Sequence, residues 1–121
     1  MHQLEFIERK VAAFRDARNW KKFHSVKNLS TALSIEASEL AEISLWKTDE
    51  EVSNLIATPE GREKYQGEMA DVFMYLLLLA EKLDIDLVDA VEAKLALNER
   101  RFPADEFDGS FDKNKRREVE D

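Results

Sequence analysis

The run from Met69 to Ala80 constrains the fold more than any other stretch of the chain. From Val72 to Ala80 it reads Val-Phe-Met-Tyr-Leu-Leu-Leu-Leu-Ala, without charge, glycine or proline, and Glu81 and Lys82 close it. On a helix, which turns ~100° per residue, this segment is apolar on every side, the pattern of a helix buried all round. It is too short for a membrane span, which needs ~20 residues. Asp71 nevertheless stands near its start, with Glu68 one turn earlier on the same side. An isolated buried carboxylate costs many kcal/mol, so both acids require something that neutralises them.

Composition narrows the architecture. With 121 residues the chain is expected to form one domain with a real core. Hydrophobic residues make up 44% and charged residues 36%, with only 3 Gly and 2 Pro, which predicts an all-α domain with a solvated exterior. A net charge of −8 argues against nucleic-acid backbone or an anionic membrane as the main partner. It leaves room for a phosphorylated small molecule bound through cations. The absence of cysteine removes disulfides, zinc–thiolate sites and thiol catalysis. No positively charged and apolar signal pattern opens the chain, so a cytoplasmic location is expected.

The expected fold is a compact helical bundle of four main helices plus a short one. Leu4, Ile7, Val11, Phe14 and Ala17 predict an amphipathic first helix over 3–18. A connector follows, Asn19-Trp20-Lys21-Lys22-Phe23-His24-Ser25, with more aromatic character than a loop usually has. Trp20 and Phe23 folding back as core caps is the plain alternative; for Trp20 and His24 we favour a ligand surface. A second helix is predicted over 27–46, its apolar arc made of Leu29, Ala32, Leu33, Leu40, Ile43 and Trp46. Glu36 falls in the middle of that arc and Glu39 inside it, with Glu42 at its edge, while Thr31, Ser34 and Ser38 face the other way. Inward glutamates and outward hydroxyls invert the ordinary pattern.

Thr48-Asp49-Glu50-Glu51 reads as a capping box opening a short helix toward Ala57. Thr58 as N-cap with Pro59 at the first position then opens the helix that runs into the apolar stretch and ends near Leu83. Gly67 within it suggests close approach of another helix. Asp86 caps a last helix over 87–101, stopped by Pro103, whose face carries Leu87, Ala90, Val91, Lys94, Asn98 and Arg101. The expected domain is 1–103. Residues 104–121 are expected to form a charged, flexible tail with Phe107 and Phe111 as tethers.

Two helices thus each present an acidic pair three residues apart on an inward face. Four carboxylates in one space repel unless cations occupy it. An all-oxygen donor set suits hard cations, Mg²⁺ or Mn²⁺, an arrangement able to neutralise phosphate charge and activate water. A di-iron centre in a helical bundle needs Glu-x-x-His on two helices, and neither His2 nor His24 follows a glutamate at that spacing. No nucleophile elbow or phosphate-binding glycine loop is present.

Glu36-x-x-Glu39 and Glu68-x-x-Asp71, with residues 40–67 between them, resemble the metal-binding signature of the MazG-like all-α nucleoside triphosphate pyrophosphohydrolases. Arg18 to His24, Glu39-Leu40-Ala41-Glu42 running into Leu45-Trp46-Lys47, and Lys94 to Pro103 most resemble the dCTP pyrophosphatase branch. The resemblance implies Mg²⁺-dependent hydrolysis of a (d)NTP to the monophosphate and pyrophosphate, with dCTP or a modified dCTP preferred, as nucleotide-pool housekeeping. Mn²⁺ would be a possible substitute. It implies metal ligation by Glu36, Glu39, Glu68 and Asp71, with Glu36 or Glu39 also orienting the attacking water. Lys94 would lie on the phosphates, Asn98 on phosphate or sugar, Arg101 on phosphate, and Trp20, His24 and Trp46 around the base. It further implies a homodimer or homotetramer with shared sites. Ser38 and Phe102 depart from the glycine and tyrosine expected there, which bears on base specificity. A nucleotide sensor that does not hydrolyse, or a helical interaction module whose acids pair with basic groups, are the alternatives.

Overall fold

The computed structural model describes residues 2–109. All regular structure among them is helical: α1 (Gln3–Ala17), a single 3₁₀ turn (Lys21–Phe23), α2 (Val26–Glu42), α3 (Asp49–Ile56), α4 (Pro59–Leu83) and α5 (Leu87–Arg101). Four longer helices and a short α3 match the architecture expected from the sequence.

The helix boundaries follow from side-chain caps. Ser25 Oγ accepts from the Asn28 amide, and Thr48 and Glu51 form a reciprocal capping box. Thr58 Oγ1 accepts from the Gly61 amide ahead of α4, with Pro59 in its first turn, and Asp86 accepts from the Asp89 amide at the start of α5. Each side chain satisfies an amide that the first helical turn leaves without a partner. The chain divides into two compact units, the first running through Asp84 and the second beginning at Ile85.

In the first unit α4 is the axis, and α2, α3 and α1 pack on it, α2 most extensively. Val11, Leu29, Leu77, Leu78 and Ala80 form the buried core. Burial on every side of the apolar run is not met within the single chain. Met69 is 58% and Phe73 42% exposed, because the packed helices cover only part of the circumference of α4. A groove lined by Leu4, Phe6, Ile7 and Phe73 runs between α1 and this uncovered face. No helix among the described residues is long and apolar enough to cross a membrane.

The two glycines of α4 have opposite surroundings. Gly67 faces open space, so it serves no close helix approach within the chain. The close approach is at Gly61, which is buried and where an added Cβ would collide with the carbonyl of Leu55 at the end of α3. A side chain at that position would hold the α3–α4 corner open.

The second helix is shorter than its apolar arc implies. It ends at Glu42, and residues 43–46 form a turn in which the amides of Ser44, Leu45 and Lys47 bond to carbonyls three residues back. That tightening breaks the helical register, and Trp46 takes a left-handed backbone (φ 64°) just before the extended cap Thr48. Trp46 is therefore off the arc of α2, and its side chain is 93% exposed. Phe23 is likewise exposed and caps no core.

The second unit consists of α5 and the turn after it. The Glu106 and Phe107 amides bond to the Pro103 carbonyl, and Phe107 meets Phe102 edge-on with ring centroids 5.2 Å apart. Phe107 is thus tethered as expected, while Phe111 lies outside the described residues.

Candidate metal centre and adjoining cavity

The acidic residues come from the two helices in closest contact. Glu36 and Glu39 stand one turn apart on α2, and Glu68 faces them from α4; one carboxylate oxygen from each lies within 4.8 Å of the others. Oε2 of Glu36 and Oε2 of Glu68 are buried with no hydrogen-bond partner. Desolvation pushes the Glu36 carboxyl up to about 7, reinforced by the hydrogen bond and charge of Glu39 and by the charges of Asp71 and Glu68. Glu68 is raised for the same reasons, desolvation first and then the charges of Glu39 and Asp71. Oxygen ligands left bare of donors and crowded by like charge fit a hard divalent cation. Glu42, at the end of α2, is exposed and outside this group.

Asp71, one turn beyond Glu68, lines a cavity of about 230 Å³ together with Glu36. Arg15, Trp20, His24 and Tyr75 line the same cavity. Carboxylates, aromatic rings and a cation therefore share one enclosure.

The connector reaches the cavity because Asn19 turns left-handed (φ 56°), a conformation asparagine tolerates better than most residues. The Trp20 amide then bonds back to the Arg15 carbonyl, 3.2 Å, which holds the ring against α1. Trp20 packs edge-on against Phe14 with centroids 5.8 Å apart, and the Arg18 guanidinium lies over the Phe14 ring at 3.6 Å. His24 is half-buried, and its Nδ1 is buried without a partner. Desolvation and then the charge of Arg15 hold His24 below its usual pKa, which favours the neutral imidazole.

Arg15 was not among the residues that sequence reasoning singled out. It is 5% exposed, with Nε donating to Asp16 at 2.8 Å and Nη1 to Glu81 at 3.0 Å. The bond to Asp16, then that to Glu81, keeps the guanidinium firmly charged against the opposing effect of burial. Its position was readable in the helical spacing, since Leu4, Val11 and Arg15 follow one another at seven and four residues on the inner side of α1.

Trp46 lines no part of this cavity as described for the first unit. Lys94, Asn98 and Arg101 lie on α5 in the second unit, where Lys94 is exposed and Asn98 and Arg101 are half-buried.

The family model for MazG-like proteins matches residues 31–115, which includes both acidic pairs and α5. The chain belongs to the MazG-like family. It is 44% identical over 101 residues to dCTP pyrophosphatase 1 of Homo sapiens and 42% identical over 100 residues to that of Bos taurus. These alignments take in 84% and 83% of the chain but 59% of each relative, so the chain spans well under two thirds of their length. The crystal structure of a pyrophosphatase from Archaeoglobus fulgidus superposes with a TM-score of 0.78 at 36% identity, covering 85% of this chain and 94% of that one. The MazG-like match begins after the connector, so Arg15, Trp20 and His24 lie outside it.

Proposed function

We propose that the chain is a Mg²⁺-dependent nucleoside triphosphate pyrophosphohydrolase that converts a (d)NTP, with dCTP or a modified dCTP preferred, to the monophosphate and pyrophosphate. The observation that carries this reading is the shared enclosure. Glu36 and Asp71 line the same cavity as Trp20 and His24, so a phosphate end and a base end are adjacent. The relatives are dCTP pyrophosphatases, which supplies the substrate class.

In this reading Glu36, Glu39, Glu68 and Asp71 hold the cation, with Mn²⁺ a possible substitute. Bound there, Mg²⁺ supplies positive charge against the triphosphate and makes water more acidic. One of the two α2 glutamates orients the attacking water and takes its proton. Lys94 compensates charge that develops on the phosphates, with Asn98 and Arg101 as further contacts. Trp20 offers its ring face to the base, a contact of ~1–3 kcal/mol that tolerates any base, so selection among bases falls to polar groups.

The active form is proposed to be a homodimer or homotetramer with shared sites, built from the 1–103 domain and acting in the cytoplasm on the nucleotide pool. The exposed Phe6, Ile7, Met69 and Phe73 and the exposed Trp46 support an assembly that covers them. Light scattering at micromolar concentration giving a monomer mass would remove that part of the proposal. The whole reading is tested by thermal melting with Mg²⁺ and a panel of nucleoside triphosphates, with pyrophosphate release followed in the same wells. Metal-dependent stabilisation with release supports the hydrolase; stabilisation without release points to a nucleotide sensor instead.

A further inference from the structure

The base end of the cavity holds an arginine whose donors are only partly used. Arg15 lines the cavity, and its Nε–H and one Nη1–H are committed to Asp16 and Glu81. The Nη2 amine and the other Nη1 hydrogen have no acceptor among the described residues. Nη2 is not among the side-chain atoms buried without a partner, so it opens toward the cavity, where a ligand can supply its acceptors.

We propose that Arg15 is a specificity-determining residue that reads the base, its spare guanidinium N–H groups donating to two adjacent acceptors on the base edge. This rests on the nucleotide reading above and names the edge that the cavity recognises. The guanidinium fork matches paired acceptors because its two amino groups donate in parallel. Cytosine presents such a pair at O2 and N3, and guanine at O6 and N7. Thymine and uracil place N3–H between their carbonyls, and adenine places its amine beside N1 and N7, so each brings a donor against the fork. A donor facing a donor in a desolvated site leaves both unsatisfied, which discriminates by about tenfold or more.

The cavity favours the smaller member of the pair. At about 230 Å³ it falls below the ~300–1,000 Å³ of pockets that enclose drug-sized ligands, a size suited to one ring and its substituents. Glu81 sets the direction of the fork by holding Nη1, which makes it a positioning residue for Arg15.

The test measures calorimetric affinities for dCMP, dGMP, dTMP and dAMP without metal, and kcat/KM for the four triphosphates with Mg²⁺. The wild-type chain is compared with Arg15→Lys, Arg15→Met and Glu81→Gln. The expected result is that the preference for dCMP and dCTP over dTMP and dTTP falls by about tenfold or more in both Arg15 variants. Glu81→Gln, which keeps the guanidinium, is expected to weaken the preference less. Arg15→Lys retains charge without the fork, so it decides the matter should Arg15→Met fail to fold. A wild-type preference for dGMP over dCMP at the same Arg15 dependence keeps the acceptor-pair reading and overturns the size argument. Equal losses for dCMP and dTMP, or an unchanged preference, overturn the proposal and leave Arg15 as a structural ion pair. Arg15-dependent binding of dCMP without pyrophosphate release from any triphosphate sinks the hydrolase alone and leaves this inference standing.

Discussion

Glu36 on α2 and Glu68 on α4 bring carboxylate oxygens within 4.8 Å of one another, and each keeps a buried oxygen without a hydrogen-bond partner. Two like charges from different helices, aimed at one point and bare of donors, oppose the packing of α2 on α4 that buries Leu29 and Leu77. The pair is tolerated in the fold because a cation can offset it or a proton can neutralise it.

The proton route gives a pH dependence with a definite sign. Glu36 has its folded pKa raised from 4.5 to about 7, so the folded chain holds this proton more tightly than the unfolded chain does. Its contribution to stability is full below about pH 4.5 and is lost as pH rises toward 7. The metal-free protein should therefore melt at lower temperature as pH rises through this window. Glu36→Gln should flatten that slope, and Mg²⁺ should restore the wild-type melting temperature at the alkaline end. A slope identical in Glu36→Gln would count against the assignment.

Removing charge at the α4 side separates stability from turnover. Glu68→Gln and Asp71→Asn relieve repulsion, so the metal-free fold should be as stable as wild type or more so. Pyrophosphate release should fall by about 10²-fold or more, the loss typical for a group that stabilises developing charge. Melting curves and initial rates on the same preparations check both halves. Retained activity in both variants would refute the metal assignment.

The two glycines of α4 make an internal control for packing. Gly67→Ala adds a methyl to open space in a helix and should stabilise by ~0.5–1 kcal/mol. Gly61→Ala drives Cβ against the Leu55 carbonyl and should destabilise by ~1–3 kcal/mol, with α3 displaced. Urea unfolding of the two variants reads the opposite signs directly.

Trp46 combines a left-handed backbone with a side chain almost wholly in solvent, a combination that stability alone does not favour. Trp46→Gly should leave the melting temperature unchanged or higher, since glycine adopts this backbone without the ~1–2 kcal/mol that an L side chain incurs. If Trp46 borders the base, as the resemblance to the dCTP pyrophosphatase branch implies, the same change raises KM for dCTP. Unchanged kinetics would remove Trp46 from the base site.

The parts of the fold legible in the sequence are those written in local chemistry. Thr48 with Glu51, Thr58 with Pro59, and Asp86 before α5 mark helix starts through bonds made within three residues, and all three are present. Glu36 stood out because a charge at the centre of an apolar arc has no solvated explanation, and it is half-buried in the cluster. What was missed depends on contacts distant in the chain. The need for glycine at 61 comes from a carbonyl of the preceding helix. The role of Arg15 comes from Glu81, 66 residues away. Periodicity alone puts Trp46 on the arc of α2, because it continues past the point where bonds to carbonyls three residues back end the helix. The apolar run of α4 predicted total burial, but periodicity reports what a face needs covered and not whether one chain covers it.

The most direct measurement is the identity of the products formed from dCTP, followed by ³¹P NMR with Mg²⁺ and again with the metal chelated. The account predicts dCMP and pyrophosphate in equal amounts with Mg²⁺, no turnover once the metal is removed, and turnover lower by about 10²-fold or more with Glu68→Gln. Formation of dCDP and phosphate, or turnover that survives chelation and Glu68→Gln alike, would contradict it.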